Sequence, residues 1–255
     1  MNFVDTHLHL HFPQYDADRD GVIRRAIEGG VRYLINIGTD LEDSRKAIAV
    51  AEAYPEVYAA VGYHPHEAKH AAPADLAELE KLLSHPKVVA VGEVGLDYFH
   101  DHSPREVQRE LLHTFFRWYK KHRKPIILHC RDAYEDLMKA LKETMPLPCR
   151  GVLHCFSSDA RTMKKFLDLG FYIAFGGALT YKKNDALREA CKACPADRLL
   201  IETDATYLAP QSKRGQRNEP LYMIETAEFM ADLRGTDLKA LAGAATANAK
   251  ELFGL

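Results

Sequence analysis

Short apolar segments alternate with longer amphipathic segments along the whole chain. Eight of the short segments are rich in Val, Ile, Leu, Ala and aromatic residues and are bounded by Gly, Pro, Asp or Ser. Most are apolar throughout, which is typical of parallel strands buried on both faces. The predicted strands are Phe3–Leu10, Tyr33–Gly38, Val57–Gly62, Val88–Val94, Pro125–His129, Gly151–Phe156, Phe171–Phe175 and Leu199–Thr203.

A helix pattern follows each predicted strand, and some helix ends carry capping residues. Ser103 precedes the predicted helix Pro104–His122 and, with the glutamate three residues after it, forms a capping box. Asp159 and Thr236 are the predicted N-caps of two later helices.

Eight strand–helix units in 255 residues match a (β/α)8 TIM-type barrel in repeat number and in length. A doubly wound open sheet is the alternative, but no glycine-rich phosphate turn follows the first strand. No linker, low-complexity tract or internal repeat divides the chain, so we expect one barrel domain over residues 1–255. The active site should then lie at the carboxyl ends of the strands.

Composition narrows the class of protein. Hydrophobic residues make up 47% and charged residues 27%, which excludes a disordered or fibrous chain. No apolar run reaches the roughly 20 residues of a membrane span, and no signal pattern stands at the start, so we expect a cytoplasmic protein without a membrane partner. The formal net charge of -2 excludes a broad basic face for non-specific binding of duplex DNA.

Histidines and carboxylates stand at the ends of the predicted strands. His7 and His9 are two residues apart, so their rings lie on the same face of a strand and can bind one ion. Such a pair alone is weak evidence, because histidines often fall two apart by chance. Further candidates stand at or near the carboxyl ends of five other strands: His64, Glu93, His129, His154 and Asp204.

The number of candidate ligands indicates more than one metal ion. Even four of these five imidazoles, together with the two carboxylates, exceed the needs of one ion and suffice for two divalent ions that share a carboxylate. Mixed imidazole and carboxylate ligation suits Zn, Mn or Co better than Mg. We therefore predict a binuclear hydrolytic site, in which the ions lower the pKa of a bound water and polarise the substrate.

The motifs at these strand ends resemble those of the TatD family of metal-dependent deoxyribonucleases, within the amidohydrolase-like barrels. They run in the family's order across almost the whole chain. They are Asp5-Thr-His-Leu-His9, Gly62-Tyr-His-Pro-His66, Gly92-Glu-Val-Gly-Leu-Asp97, His129-Cys-Arg-Asp132, His154-Cys-Phe-Ser157, Glu202-Thr-Asp204 and Arg214-Gly-Gln-Arg-Asn-Glu-Pro220.

The resemblance implies a role for each candidate. A first ion would be bound by His7, His9 and Asp204. A second ion would be bound by His129 and His154, with Glu93 as the catalytic carboxylate that bridges the two. Asp204 would also receive the proton of the attacking water, and His64 and Arg131 would contact the substrate phosphate.

The activity that the resemblance implies is hydrolysis of phosphodiester bonds in DNA, commonly as a 3'-5' exonuclease on single-stranded or frayed ends. No obligate protein partner is evident. The alternative enzyme keeps both ions but hydrolyses an ester, lactone, amide or aminoacyl-tRNA. Many related barrels bridge their metals through a carboxylated Lys on the fourth strand, and Glu93 in that region favours the TatD-like group. A non-catalytic barrel is disfavoured because every proposed ligand is retained.

Loops at the expected mouth of the barrel carry further polar residues. Four histidines there, His11, His66, His100 and His102, are expected for the most part to lie at the rim or to support the ligands. Five cations after the seventh and eighth strands are expected on the catalytic face, where they could steer a polyanion. They are Lys182, Lys183, Lys213, Arg214 and Arg217.

Overall fold

A ring of eight parallel strands forms the centre of the molecule, which confirms the predicted (β/α)8 barrel. The computed structural model describes residues 1–255, and the strands follow one another around the sheet in chain order. The strands are β1 (Phe3–Leu8), β2 (Val31–Ile37), β3 (Val57–Val61), β4 (Val88–Asp97), β5 (Ile126–Arg131), β6 (Gly151–Leu153), β7 (Tyr172–Phe175) and β8 (Leu199–Ile201).

Helices surround this sheet. They are α1 (Arg19–Glu28), α2 (Leu41–Ala53), α3 (Pro73–Leu82), α4 (Arg105–His122), α5 (Tyr134–Thr144), α6 (Ala160–Leu167), α7 (Asp185–Ala193), α8 (Met223–Arg234) and α9 (Leu238–Phe253). A cluster of 62 buried residues fills the space between strands and helices. None of the helices has both the length and the apolar character needed to cross a membrane.

A second apolar cluster lies inside the barrel. It includes Val4, Ile127 and Leu200 from the strands and Leu252 from α9. In each of these strands the apolar residue precedes the candidate site residue, so it lies nearer the amino end of the strand. Helix α9 therefore covers the amino end of the barrel and leaves the carboxyl end for the site.

Closure of the barrel between β1 and β8 depends on residues just beyond β8. The amide of Asp204 donates to the carbonyl of His7 at 2.9 Å, and the amide of His9 donates to the carbonyl of Ala205 at 2.7 Å. The buried carboxylate of Asp5 accepts from both the amide and the hydroxyl of Thr203, at 3.0 and 2.5 Å. Closure thus places Asp204 beside His7 of β1 and His9, which directly follows the strand.

Strand β4 is longer than predicted. The sequence pattern ended it at Val94, because the glycine that follows is typical of a strand end. The strand continues to Asp97, and Gly95 pairs with His129 of β5. At Gly95 φ is +152°, and a Cβ there would overlap the carbonyl oxygen of His129. Glycine is required because the backbones of β4 and β5 come so close.

Two of the three predicted helix caps are wrong. Asp159 caps α6 as predicted and accepts from the amide of Thr162 at 2.7 Å. Helix α9 is capped by Asp237 rather than by Thr236, because the Asp237 carboxylate accepts from two amides of the first turn.

The side chain of Ser103 has a different partner from the predicted helix. Its hydroxyl donates to the carbonyl of His66 at 2.7 Å and accepts from the amide of Lys69 at 3.1 Å. Helix α4 begins at Arg105 without a side-chain cap. Ser103 therefore joins the loop after β4 to the loop after β3, a role that no local pattern reveals.

A pair of glycine substitutions tests the close approach of β4 and β5. Gly95→Ala should lower the free energy of unfolding by about 2 kcal/mol or more, because the new methyl group needs both backbone and neighbour to move. Gly243→Ala, in the exposed middle of α9 with open space around it, should raise it by about 0.5–1 kcal/mol. Urea unfolding measures both, and equal effects would contradict the argument.

Candidate metal centre

A cavity of about 560 Å³ opens at the carboxyl ends of the strands. Its lining contains seven of the eight predicted site residues: His9, His64, Glu93, His129, Arg131, His154 and Asp204. The eighth, His7, is fully buried and contacts the Glu93 carboxylate. The structure therefore brings all eight residues to one place, although they come from six different strand ends.

Glu93 lies at the centre of this group, and its two oxygens face different imidazoles. Oε2 is 3.2 Å from Nε2 of His7. Oε1 is 2.7 Å from Nε2 of His154 and 2.9 Å from Nδ1 of His129. A carboxylate with one oxygen toward each of two ligand groups has the geometry needed to bridge two ions.

The first ligand group contains His7, His9 and Asp204. Oδ1 of Asp204 is 3.6 Å from Nε2 of His9 and 3.9 Å from Nε2 of His7. Nδ1 of His9 donates to the carbonyl of Ile37 at 2.9 Å, so its Nε2 has a free lone pair. Both ring nitrogens of His7 are buried without a hydrogen-bond partner. Since such orphaned atoms are costly, an ion at Nε2 of His7 fits this group.

The second ligand group contains His129 and His154. Nδ1 of His129 and Nε2 of His154 are 3.3 Å apart, and both face Oε1 of Glu93. Nε2 of His129 is 3.3 Å from Oδ2 of Asp97, so its proton has an acceptor while Nδ1 keeps its lone pair. The ring of His154 stacks on that of His7 with centroids 3.7 Å apart, which joins the two groups. These residues therefore fit a second ion.

The carboxylates at the centre are ionised. Burial raises the pKa of Glu93, but His154, His64 and His7 outweigh that effect and leave the pKa well below its usual range. Burial likewise raises the pKa of Asp204, and a hydrogen bond with His9 and the other imidazoles lower it below its usual range. Both side chains can therefore act as anionic ligands at neutral pH.

His64 and Arg131 occupy different parts of the cavity. Nδ1 of His64 accepts from the amide of His66 at 3.1 Å, so the proton lies on Nε2, 3.4 Å from Oε1 of Glu93. Burial lowers the pKa of His64 to about 4, and the ring is a neutral donor at neutral pH. Arg131 is exposed at the mouth and lies over the ring of Phe99, 4.8 Å from its centroid. Its guanidinium is free to bind an anion.

Comparison with known proteins identifies the family of this chain. A model of the TatD-related DNase family matches residues 4–254. The chain belongs to that family. The chain is 41% identical over 249 residues to the uncharacterized metal-dependent hydrolase YabD of Bacillus subtilis, and the match covers 98% of each chain.

Two further relatives carry names that bear on activity or fold. The 3'-5' ssDNA/RNA exonuclease TatD of Salmonella typhimurium is 34% identical to this chain, with 98% of each covered. The crystal structure of YJJV, a TatD homologue from Escherichia coli, superposes with a TM-score of 0.94 at 33% identity, covering 99% of this chain and 98% of that one. The chain is thus a metal-dependent hydrolase of the TatD family, while the number and identity of its ions and its ligand assignments stay predictions.

Residues outside the predicted set position this TatD-family centre. Asp97 accepts from His129, and the side chain of Gln108 bonds to both the amide and the carbonyl of Asp97 at 2.8 and 3.1 Å. Glu202 accepts from the amide of Cys155 at 2.6 Å and lies 3.6 Å from Nδ1 of His154. The sequence did carry a signal for Asp97, because period two places it on the same face as Glu93. The early predicted end of β4 concealed it.

The prediction that five cations after β7 and β8 are free to steer a polyanion is wrong for Arg217. Arg217 is bound to Asp18 through two hydrogen bonds of 2.7 Å and to Glu219 at 3.0 Å, so its charge is already compensated. Arg214 lies over the ring of Tyr181, 4.7 Å from its centroid. None of the five predicted cations lines the cavity, where Arg131 is the one Lys or Arg side chain.

Replacing the bridging carboxylate tests the paired centre. In Glu93→Gln the anion between the imidazoles is lost, so metal affinity should fall by more than the roughly 10–100-fold that loss of an outer partner costs. Glu67→Gln, also in the cavity lining but outside the predicted ligands, should retain the affinity of the natural protein. Calorimetric titration of metal-stripped protein with Mn²⁺ measures both. Equal affinities in the two variants would contradict the assignment.

Proposed function

We propose that this TatD-family hydrolase cleaves phosphodiester bonds in DNA, as a 3'-5' exonuclease on single-stranded or frayed ends. The observation that carries the proposal is the Glu93 carboxylate, which divides its oxygens between two ligand groups beneath an open cavity. Two divalent ions, if held by these groups, would suit an in-line displacement at phosphorus. A relative from Salmonella typhimurium is named a 3'-5' ssDNA/RNA exonuclease, which supports the same activity.

Asp204 is the residue that we assign as general base. Divalent ions, when bound, lower the pKa of the attacking water and neutralise charge on the phosphate. The Asp204 side chain is 16% exposed and lines the cavity, and its lowered pKa keeps it ionised and able to accept a proton. Glu93 is 4% exposed and has imidazoles at both oxygens. It therefore serves catalysis by orienting the ligand groups.

Arg131 and His64 are the residues that we assign to the substrate phosphate. The planar guanidinium of Arg131 matches two oxygens of a phosphate and has no competing ion pair. His64 is a neutral imidazole that presents an N–H near the centre, so it can stabilise an anion without adding charge.

The rim of the cavity suits an unpaired nucleotide. Three of the five exposed large hydrophobic residues of the chain, Phe99, Tyr207 and Leu208, line it. Phe99 is 58% and Tyr207 is 52% exposed. Aromatic rings stack unpaired bases for about 1–3 kcal/mol each. An open cavity with exposed aromatic rings at its rim favours single-stranded and frayed ends, because their bases are free to stack on those rings.

Cleavage of a 5'-labelled single-stranded oligonucleotide tests the proposal. The protein with Mn²⁺ or Mg²⁺ should shorten it stepwise from the 3' end, and EDTA should abolish the reaction. Asp204→Asn should lower kcat by about 10²–10⁴-fold, since a general base is lost. Asp168→Asn, on an exposed aspartate paired with Lys164, should leave kcat unchanged.

Two outcomes would contradict this function. Cleavage that persists in EDTA would reject the metal-dependent reaction. Ester, lactone, amide or aminoacyl-tRNA hydrolysis that is fast, with the oligonucleotide left intact, would instead support the alternative substrate class on the same ligands.

The role of Arg131 predicts a separate kinetic signature. Arg131→Ala should raise KM for the oligonucleotide by roughly 10–100-fold, the loss of a charge-assisted hydrogen bond of about 1.5–3 kcal/mol, with a smaller change in kcat. Arg117→Ala is the matched control, since Arg117 is an exposed residue of α4 that bonds only to Thr114. A fall in kcat at constant KM would show that Arg131 does not bind the ground-state substrate.

A further inference from the structure

A second cluster of imidazoles surrounds Asp97, on the wall of the same cavity. Oδ2 of Asp97 is 2.6 Å from Nε2 of His66 and 2.9 Å from Nδ1 of His100. One ligand atom from each of these three residues lies within 4.8 Å of the others. His66 comes from the loop after β3 and His100 from the loop after β4, so the tertiary structure brings the cluster together.

Hydrogen bonding alone does not account for the contacts of this carboxylate. Five nitrogen atoms face it: the amides of Phe99 and His100 at Oδ1, and one ring nitrogen each of His66, His100 and His129 at Oδ2. A carboxylate offers about four lone-pair positions, two on each oxygen. Oδ2 therefore has one contact too many if every ring nitrogen is a donor.

The tautomer of His129 decides which ring donates. If Nδ1 of His129 keeps its lone pair for the paired centre, its proton lies on Nε2 and occupies one position of Oδ2. The single position that is left faces both His66 and His100. A divalent cation there would accept lone pairs from Oδ2 and from both imidazoles and would resolve the conflict.

We propose that His66, Asp97 and His100 form an additional divalent-cation site beside the paired centre. Two imidazoles and one carboxylate select ions of the Zn²⁺ class over Mg²⁺. The ligand atoms of a tetrahedral ion with bonds of 2.0–2.2 Å lie about 3.3–3.6 Å apart, so small rotations of His66 and the exposed His100 admit the ion. All three residues line the cavity, so an ion bound to them would be accessible from it.

Neighbouring residues hold the proposed ligands in position through hydrogen bonds. The Gln108 side chain bonds to both backbone groups of Asp97. Ser103 accepts from Lys69 and donates to the carbonyl of His66, which fixes one loop against the other. The ring of His102 lies 4.6 Å from that of His66, centroid to centroid, and supplies another imidazole nearby. Positioned ligands of this kind are typical of a metal site.

A count of bound zinc tests the additional site. Metal-stripped full-length protein and two variants are titrated with Zn²⁺ in the presence of excess Mg²⁺, and bound zinc is measured by calorimetry and elemental analysis. His100→Ala should bind one zinc fewer than the natural protein. The control is His85→Ala, at a half-buried histidine that pairs with Glu52 and lies before β4 rather than after it; this variant should bind the same number as the natural protein.

The readout does not depend on nuclease activity or on how many ions the paired centre takes. His100 contacts none of the predicted ligands of that centre, and it is exposed, so thermal unfolding should show an intact fold. An anomalous peak beside Nε2 of His66 and Oδ2 of Asp97 in zinc-containing crystals would locate the ion. An equal zinc count in the natural protein and His100→Ala would overturn the proposal and leave a hydrogen-bonded cluster.

Discussion

The buried carboxylate of Glu93 imposes the strongest constraint on this structure. An anion that is almost fully removed from water is tolerated only with compensating charge or hydrogen bonds. Glu93 has these in imidazoles from the ends of four other strands, His7, His64, His129 and His154. Because these strands are β1, β3, β5 and β6, the charge is compensated only when more than half of the barrel is assembled. Fold and centre therefore depend on each other.

The close approach of strands around β4 follows from the same constraint. Bringing the Glu93 carboxylate within reach of both β3 and β5 leaves little room between backbones. Gly62 directly follows β3, and a Cβ there would lie 2.6 Å from the carbonyl carbon of Gly92. A Cβ at Gly95 would overlap the carbonyl oxygen of His129. Glycines on both sides of Glu93 thus permit the spacing that the carboxylate needs.

The sequence allowed the barrel and the convergence of eight candidate residues at its carboxyl end to be predicted, because both depend on local regularities. Apolar runs marked the strands, and the carboxyl ends of parallel strands must meet at one face, which brought His7 and Asp204 together despite their separation in the chain. Other features depend on partners distant in sequence. Ser103 has the pattern of a cap but bonds to the loop of His66, and Arg217 has the pattern of a free cation but pairs with Asp18.

In each predicted imidazole ligand, the ring nitrogen that does not face the proposed ion can orient the ring by bonding to an acceptor. His9 donates to a carbonyl and His129 faces Asp97, while Nδ1 of His154 lies 3.6 Å from Glu202, beyond hydrogen-bond distance. His7 has no such acceptor for Nδ1. Its orientation must come from elsewhere: its amide donates to Asp5, its carbonyl accepts from the amide of Asp204, and its ring stacks on that of His154. The contacts that orient His7 are thus among those that close the barrel, so a barrel left open between β1 and β8 would lose this ligand first.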